Sequence, residues 1–371
     1  MVDRQTMIDE FCGLVRIDSL SGKEQQVARV LAKALEDMGL AVEFDAAHEA
    51  IGGQVGNIIA KLPATDASRP TLMLQSHMDT VTPGEGIEPV VQGDTIRSAG
   101  ETILGADAKA GVTVILNAVR EVVDCGMPHG ELQVVFCIAE ETGLHGAYHL
   151  DYEKVSPDYC FVFDGGKQPG HMTVAAPSAC KMTFRIKGRA SHAGVHPEAG
   201  INAIAVAARA ISRMRMGRID HETTANIGVI EGGQARNIVP DLCTMLAEAR
   251  SHDEEKLDRQ VEHMKMCLAH AAAESDAEFP EPEVAASYKR FALRDDAPVV
   301  QIASRAARAE GFEPLTEVGG GGSDANVFNE HGIPAVICAT GAQGAHTLDE
   351  SLDITAMVGC ARWLVEIIRT A

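Results

Sequence analysis

Four apolar runs in this chain each end in residues able to hold a metal ion. TLMLQS leads into His77 and Asp79, LQVVFCIA into Glu140 and Glu141, YCFVF into Asp164, and IPAVICAT into a glycine-bearing loop that reaches His346. A fifth carboxylate, Asp107, stands in LGADAKAG at the start of the helix-like run AGVTVILNAVREVV. In an open parallel sheet, sites form in the crevice beyond the carboxyl ends of the strands, so residues distant in sequence can converge there. Several carboxylates packed together without cations would have raised pKa values and would repel one another. Histidine and carboxylate ligands without thiolate suit zinc, with manganese or cobalt as alternatives. Two ions, about 3.5–4 Å apart in such sites, need a bridging carboxylate, for which Asp107 is the candidate. Taken singly, each residue has an ordinary explanation: H-x-D as a surface turn, Glu-Glu as a solvated helix start, His346 as a loop histidine. Their joint placement at strand ends is what points to metal.

The elements that must position these residues follow the pattern of a parallel sheet with helices packed on it over the first 170 or so residues. Residues 22–38 set Val27, Val30, Leu31, Ala34, Leu35 and Met38 at helical spacing and close at Gly39. GNIIAKL, TLMLQS, LQVVFCIA and YCFVF read as buried strands. From about Ser178 the order becomes strand, helix, strand, strand, helix and a short strand near Val284, which is a ferredoxin-like unit. The acidic, proline-bearing ESDAEFPEPEVAAS reads as a linker, after which the first style resumes. The fold expected is α/β: a mixed, mostly parallel sheet flanked by helices (residues 1–177 and 287–371), interrupted by a smaller α+β unit (178–286).

The 371 residues carry 32 Lys and Arg against 53 Asp and Glu, a net charge of −21. So acidic a surface lacks the cations that neutralise phosphates, which argues against nucleic-acid and membrane-surface partners. Asp3, Arg4, Asp9 and Glu10 break the apolar stretch a signal peptide would need, and no window reaches the roughly 18 apolar residues of a membrane span, so a cytoplasmic location is expected. The nine scattered cysteines, with no C-x-x-C pair, read as reduced, core-filling thiols. The segment V-G-G-G-G-S-D (318–324) lacks the ending of a phosphate loop and follows no clear strand; Ser323 or Asp324 is expected to cap the helix-like run after it.

The ordered set H-M-D-T-V (77–81), G-A-D-A-K-A-G (105–111), A-E-E-T-G (139–143), F-D-G (163–165), S-H-A-G-V-H-P-E (191–198) and A-H-T-L-D-E (345–350) resembles the co-catalytic metallopeptidase superfamily of peptidase T, glutamate carboxypeptidases and aminoacylases, and most of all its peptidase T-like branch. The resemblance implies a zinc-exopeptidase-like fold and assigns His77 and Asp164 to one ion, Glu141 and His346 to the other, and Asp107 to both. It makes Asp79 the residue that steers His77. Glu140 becomes the general base on the water held between the ions. In the inserted unit it implies that His192 stabilises the oxyanion, that Arg236 clamps a substrate carboxylate, and that Asn226 adds a polar contact. The same likeness implies a lid or homodimerisation role for that unit and a cis peptide after Asp107. A cytosolic exopeptidase acting on short peptides, a tripeptide aminopeptidase, is the activity expected. An N-acyl-amino-acid amidohydrolase or a carboxypeptidase using the same site, and a non-catalytic metal-stabilised peptide binder, are the alternatives.

Overall fold

The computed structural model describes residues 2–371, which fall into two compact units. The first comprises residues up to Ala175, Phe291–Gly319 and Ser323–Ala371; the second comprises Ala176–Arg290 and Gly320–Gly322.

The first unit is built on a nine-stranded sheet. Its four central strands are, in spatial order, Leu132–Cys137, Leu72–His77, Tyr159–Gly165 and Ala335–Ala339, each parallel to its neighbour. These are the four apolar runs whose ends carry the acidic and histidine residues. They are buried almost throughout, as continuous apolar strands in a parallel sheet must be. Antiparallel strands Ile58–Leu62 and Ala41–Phe44 extend one side, while His171–Ala176, flanked by Phe291–Ala292 and Leu315–Val318, extends the other.

Helix Ala106–Asp124 packs on two of the central strands and against the C-terminal helix Ile354–Thr370. Its approach depends on Gly111: a Cβ there would lie 1.8 Å from the Phe163 carbonyl oxygen. Trp363, fully buried, donates its indole N–H to the Ala303 carbonyl and meets Phe163 edge-on. A smaller sheet pairs Ser351–Asp353 with both Ala342–Gln343 and Thr95–Ser98, so the residues between the first two strands, His346 among them, form the loop of a hairpin pinned to a third strand.

The second unit has an antiparallel sheet in the order Gly217–Arg218, Thr223–Gly232, Leu242–Ser251, Ser178–Lys187, Glu283–Tyr288. Helices Ala203–Ile211 and Glu254–Ala273 pack on it and share one apolar core containing Phe184, Met245, Met264 and Leu268. Leaving aside the short Gly217–Arg218 edge strand, this is the ferredoxin-like arrangement. Asp253 accepts from the Lys256 N–H at the start of the second helix, as an N-cap does.

Two local expectations are corrected, and one helix was not foreseen. The glycine-rich segment does follow a strand, Leu315–Val318, whose exposed, mixed residues hide it from an apolar-run reading. The acidic, proline-bearing stretch is not a free linker: Glu278 bridges Lys187, and the stretch runs into the strand expected near Val284, Glu283–Tyr288, at the edge of the second unit's sheet. A helix, Arg4–Val15, occupies the stretch considered only as a possible leader, with Asp3 capping it through the Thr6 N–H. Among the described residues all nine cysteines are free, and no helix is long and apolar enough to cross a membrane.

Candidate metal centre

At the ends of the four central strands the titratable side chains meet. His77 closes its strand, and its Nε2 lies 3.1 Å from an Asp107 carboxylate oxygen and 3.4 Å from one of Asp164. His346 Nε2 lies 2.9 Å from Glu141 and 3.4 Å from the other oxygen of Asp107. Two groups of ligand atoms result, His77–Asp107–Asp164 and Asp107–Glu141–His346, the atoms of each within 4.8 Å of one another. Asp107 belongs to both, one oxygen turned to each imidazole. Donors bound to a common zinc at about 2.0–2.2 Å in a tetrahedral shell sit roughly 3.3 Å apart, so these separations suit a pair of shared ions. The donor set of two imidazoles and three carboxylates, with one carboxylate common, therefore fits two divalent cations.

The electrostatics point the same way. Burial alone would lower the His77 pKa, but Asp107, Asp164 and Asp79 overcome it and hold the imidazolium well above its ordinary value. Asp107 and Glu141 raise His346 to about 10. Burial raises Glu140 well above the usual carboxylate range, with Asp164, Asp324 and Glu141 adding to the effect. Without cations the cluster borrows positive charge from its histidines, whereas a metal ligand must be neutral imidazole.

The surrounding structure holds these groups tightly. Asp79 is completely buried; its carboxylate accepts from the Glu140 N–H at 3.0 Å, the Glu141 N–H at 3.2 Å and the Ser21 hydroxyl at 2.6 Å. His77 Nδ1 pairs with the Asp79 backbone carbonyl at 3.0 Å, its carboxylate standing farther off at 3.4 Å. Asp79 thus orients the imidazole chiefly through its main chain, while its carboxylate fixes the peptide that presents both glutamates. Glu24 adds a second brace, accepting from the Ala139 and Gly22 N–H groups. Ser323 donates to Asp164 at 2.8 Å and also N-caps helix Asp324–Glu330 in a capping box with Asn326. Ala139 and His346 both take left-handed backbone conformations, φ 48° and 63°, which non-glycine residues rarely adopt outside strained sites. The Asp107–Ala108 peptide is cis.

The Glu140 carboxylate belongs to the same cluster, grouped with His77 and Glu141, yet among the described residues it receives no hydrogen bond. It is 9% exposed. A buried, uncommitted carboxylate beside two ion sites has the position a proton carrier needs.

The remaining expected residues lie in the second unit. The His192 segment and the Arg236 loop are joined there by the Ala193 N–H to the Asn237 carbonyl and by a bridge between His192 and Ile238. Arg236 lines a hollow of about 490 Å³ with Asn202, Ile204, Gln234 and Ile238. Asn226 lines a different hollow, of about 590 Å³, on the open face of the sheet beside Lys181, Leu246 and Glu248. The structure therefore joins His192 and Arg236 and sets Asn226 apart from the Arg236 hollow. Sequence reasoning missed Ser21, Glu24 and Ser323, polar residues outside any periodic pattern.

Known proteins complete the picture. Residues 57–195 match the model of peptidase family M28 and residues 174–276 that of a peptidase dimerisation domain. The fold is similar to the crystal structure of aminopeptidase PepT from Bacillus cereus, with 41% identity and a TM-score of 0.88 over 100% of this chain and 99% of that one. It is also similar to a tripeptidase from Staphylococcus aureus, with 38% identity and a TM-score of 0.93 over 100% and 98% of the two chains. The Bacillus subtilis protein YqjE is 41% identical over the full length of both. With the shared fold, the full-length identity and the twin ligand groups together, the chain belongs to the peptidase T-like branch of the metallopeptidases.

Proposed function

We propose that this metallopeptidase is an aminopeptidase that removes the N-terminal residue of tripeptides. The observation that carries the reading is the pair of ligand groups sharing Asp107, with the unpaired Glu140 carboxylate beside them. The aminopeptidase and tripeptidase activities named for its two structural relatives support the substrate class.

His77 and Asp164 would hold one ion, Glu141 and His346 the other, and Asp107 both; zinc suits these donors, with manganese or cobalt as alternatives. When bound, such ions polarise the scissile carbonyl and lower the pKa of water. Glu140 takes the proton from the attacking water and delivers it to the leaving amine. Asp79, Ser21 and Glu24 keep the Ala139–Glu141 peptide rigid, so the base does not swing away from the reacting atoms. For the second unit we assign Arg236 to the substrate's terminal carboxylate, by two parallel hydrogen bonds. His192 serves the oxyanion and Asn226 a polar contact, and the unit as a whole acts as lid and homodimer contact. The matched dimerisation domain supports that last role.

The test compares a free tripeptide, the same peptide with a blocked N-terminus, and an N-acyl amino acid. Hydrolysis of the free tripeptide from its N-terminal end is expected. Preference for a blocked substrate would assign the protein to carboxypeptidases or deacylases, and tight peptide binding without hydrolysis would make it a binder.

A further inference from the structure

The hairpin loop that supplies His346 ends at Glu350, a residue the reaction as described does not use. Glu350 is 1% exposed, and its carboxylate is aimed at the Gly105–Asp107 segment, just ahead of the kink at which the chain enters the regular part of helix Ala106–Asp124. One oxygen accepts from the Gly105 N–H at 2.6 Å and the Ala106 N–H at 3.1 Å; the other accepts from the Asp107 N–H at 3.2 Å. Asp107 and Ala108 have non-helical dihedrals, so these N–H groups lie ahead of a kink and outside the regular helical ladder. Gly105, in a left-handed conformation, has no side chain to answer them. Their acceptor arrives instead from more than 240 residues away in sequence. It comes from the loop that brings His346 to the far side of Asp107.

A buried carboxylate is a costly acceptor unless its hydrogen bonds are all made and its placement matters. Both conditions hold. Three donors converge on it, and it ties together two residues whose relative position decides whether Asp107 can reach both imidazoles. Glu141 and Asp107 contact His346 from one direction. Glu350, four residues on, grips the peptide that carries Asp107. The loop and the helix start are thus locked at two points.

We propose that Glu350 is a positioning residue that fixes the shared carboxylate of Asp107 between His77 and His346. The inference rests on the reading of this cluster as a two-ion site. Glu350→Gln keeps the size of the side chain but turns an N–H₂ toward N–H donors, so part of the grip becomes repulsive. Glu350→Asp keeps the charge but shortens the reach.

The experiment titrates Co²⁺ into metal-free wild type, Glu350→Gln and Glu350→Asp, following the visible absorption of the bound ion, the thermal midpoint of the metal-free proteins, and kcat and KM at saturating metal. Wild type should bind two equivalents. Glu350→Gln should remain folded, bind at least one equivalent about 10–100-fold more weakly with an altered cobalt spectrum, and lose kcat by a similar factor with KM little changed. Glu350→Asp should fall between the two. Unchanged cobalt affinity, spectrum and kcat in Glu350→Gln would overturn the proposal while leaving the two-ion reading intact. A wild type that takes up no cobalt would instead defeat that reading, and this inference with it. Recovery of both variants only as unfolded protein would assign the carboxylate to stability and likewise overturn the positioning role.

Discussion

Glu140 and Asp79 are neighbours with opposite surroundings, and the difference sorts their roles. Asp79 has three donors on its carboxylate; Glu140 has none among the described residues. A fully bonded carboxylate is a structural anchor, whereas a free one beside ion sites can carry a proton. Glu140→Gln should therefore retain both ions by elemental analysis and lose about 10²–10⁴ in kcat, the usual contribution of a general base. Asp79→Asn should behave differently, because an amide cannot accept from the Glu140 N–H, the Glu141 N–H and Ser21 together. A loss of roughly 10–100-fold in metal affinity or activity is expected, checked by cobalt titration beside the kinetics. If Asp79→Asn bound metal as wild type does, the anchoring role would fail at its central residue.

Elements bring these residues together, and two contacts between elements are open to test. Gly111 lets helix Ala106–Asp124 lie directly on the strand that ends in Asp164; a Cβ would strike the Phe163 carbonyl oxygen, which cannot rotate away. Gly111→Ala should cost at least ~2 kcal/mol in urea unfolding, as overpacking against backbone does. It should weaken metal binding too, because Asp107 would be displaced with the helix. Glu24 tests the brace from the other side. Burial raises its pKa to about 7, with Asp79 adding to the effect, against an unperturbed 4.5. Among the described residues its other carboxylate oxygen is buried without a partner. The folded protein therefore keeps this proton over a pH range where the unfolded chain releases it. The contribution is fully present below pH 4.5 and lost as the pH rises through about 7. Thermal midpoints of Glu24→Gln and wild type should diverge across that window in favour of the variant and run parallel above it. A constant gap would show that Glu24 is ionised throughout. The four central strands were legible because each is a continuous apolar run ending in a ligand-type residue. Their spatial order was not, because the strand ending at Cys137 lies outside the earlier one ending at His77. The strand Leu315–Val318 escaped notice because its residues are largely polar or exposed, whereas the edge strand Glu283–Tyr288 was expected near Val284, directly after the acidic, proline-bearing residues. Ser21, Glu24 and Ser323 carried no periodic signal; only their distances reveal them.

At the scale of the whole molecule, composition and architecture constrain partners more than chemistry. A net charge of −21 disfavours polyanions, and the matched dimerisation domain supports pairing of two chains. Light scattering at working concentration should give twice the 39.4 kDa chain mass; a monomer would remove the homodimer from the account. Metal is expected to matter to the fold as well as to the reaction, since a ligand bound only to the native state stabilises it by roughly 2.7 kcal/mol at a hundredfold excess over its Kd. Chelation should accordingly lower the thermal midpoint and abolish tripeptide hydrolysis together, and added zinc, manganese or cobalt should restore both. The most direct measurement is anomalous scattering from crystals loaded with zinc. Two peaks about 3.5–4 Å apart, with the Asp107 carboxylate between them, are expected. A single peak, no peak, or two ions that do not share Asp107 would contradict the central claim.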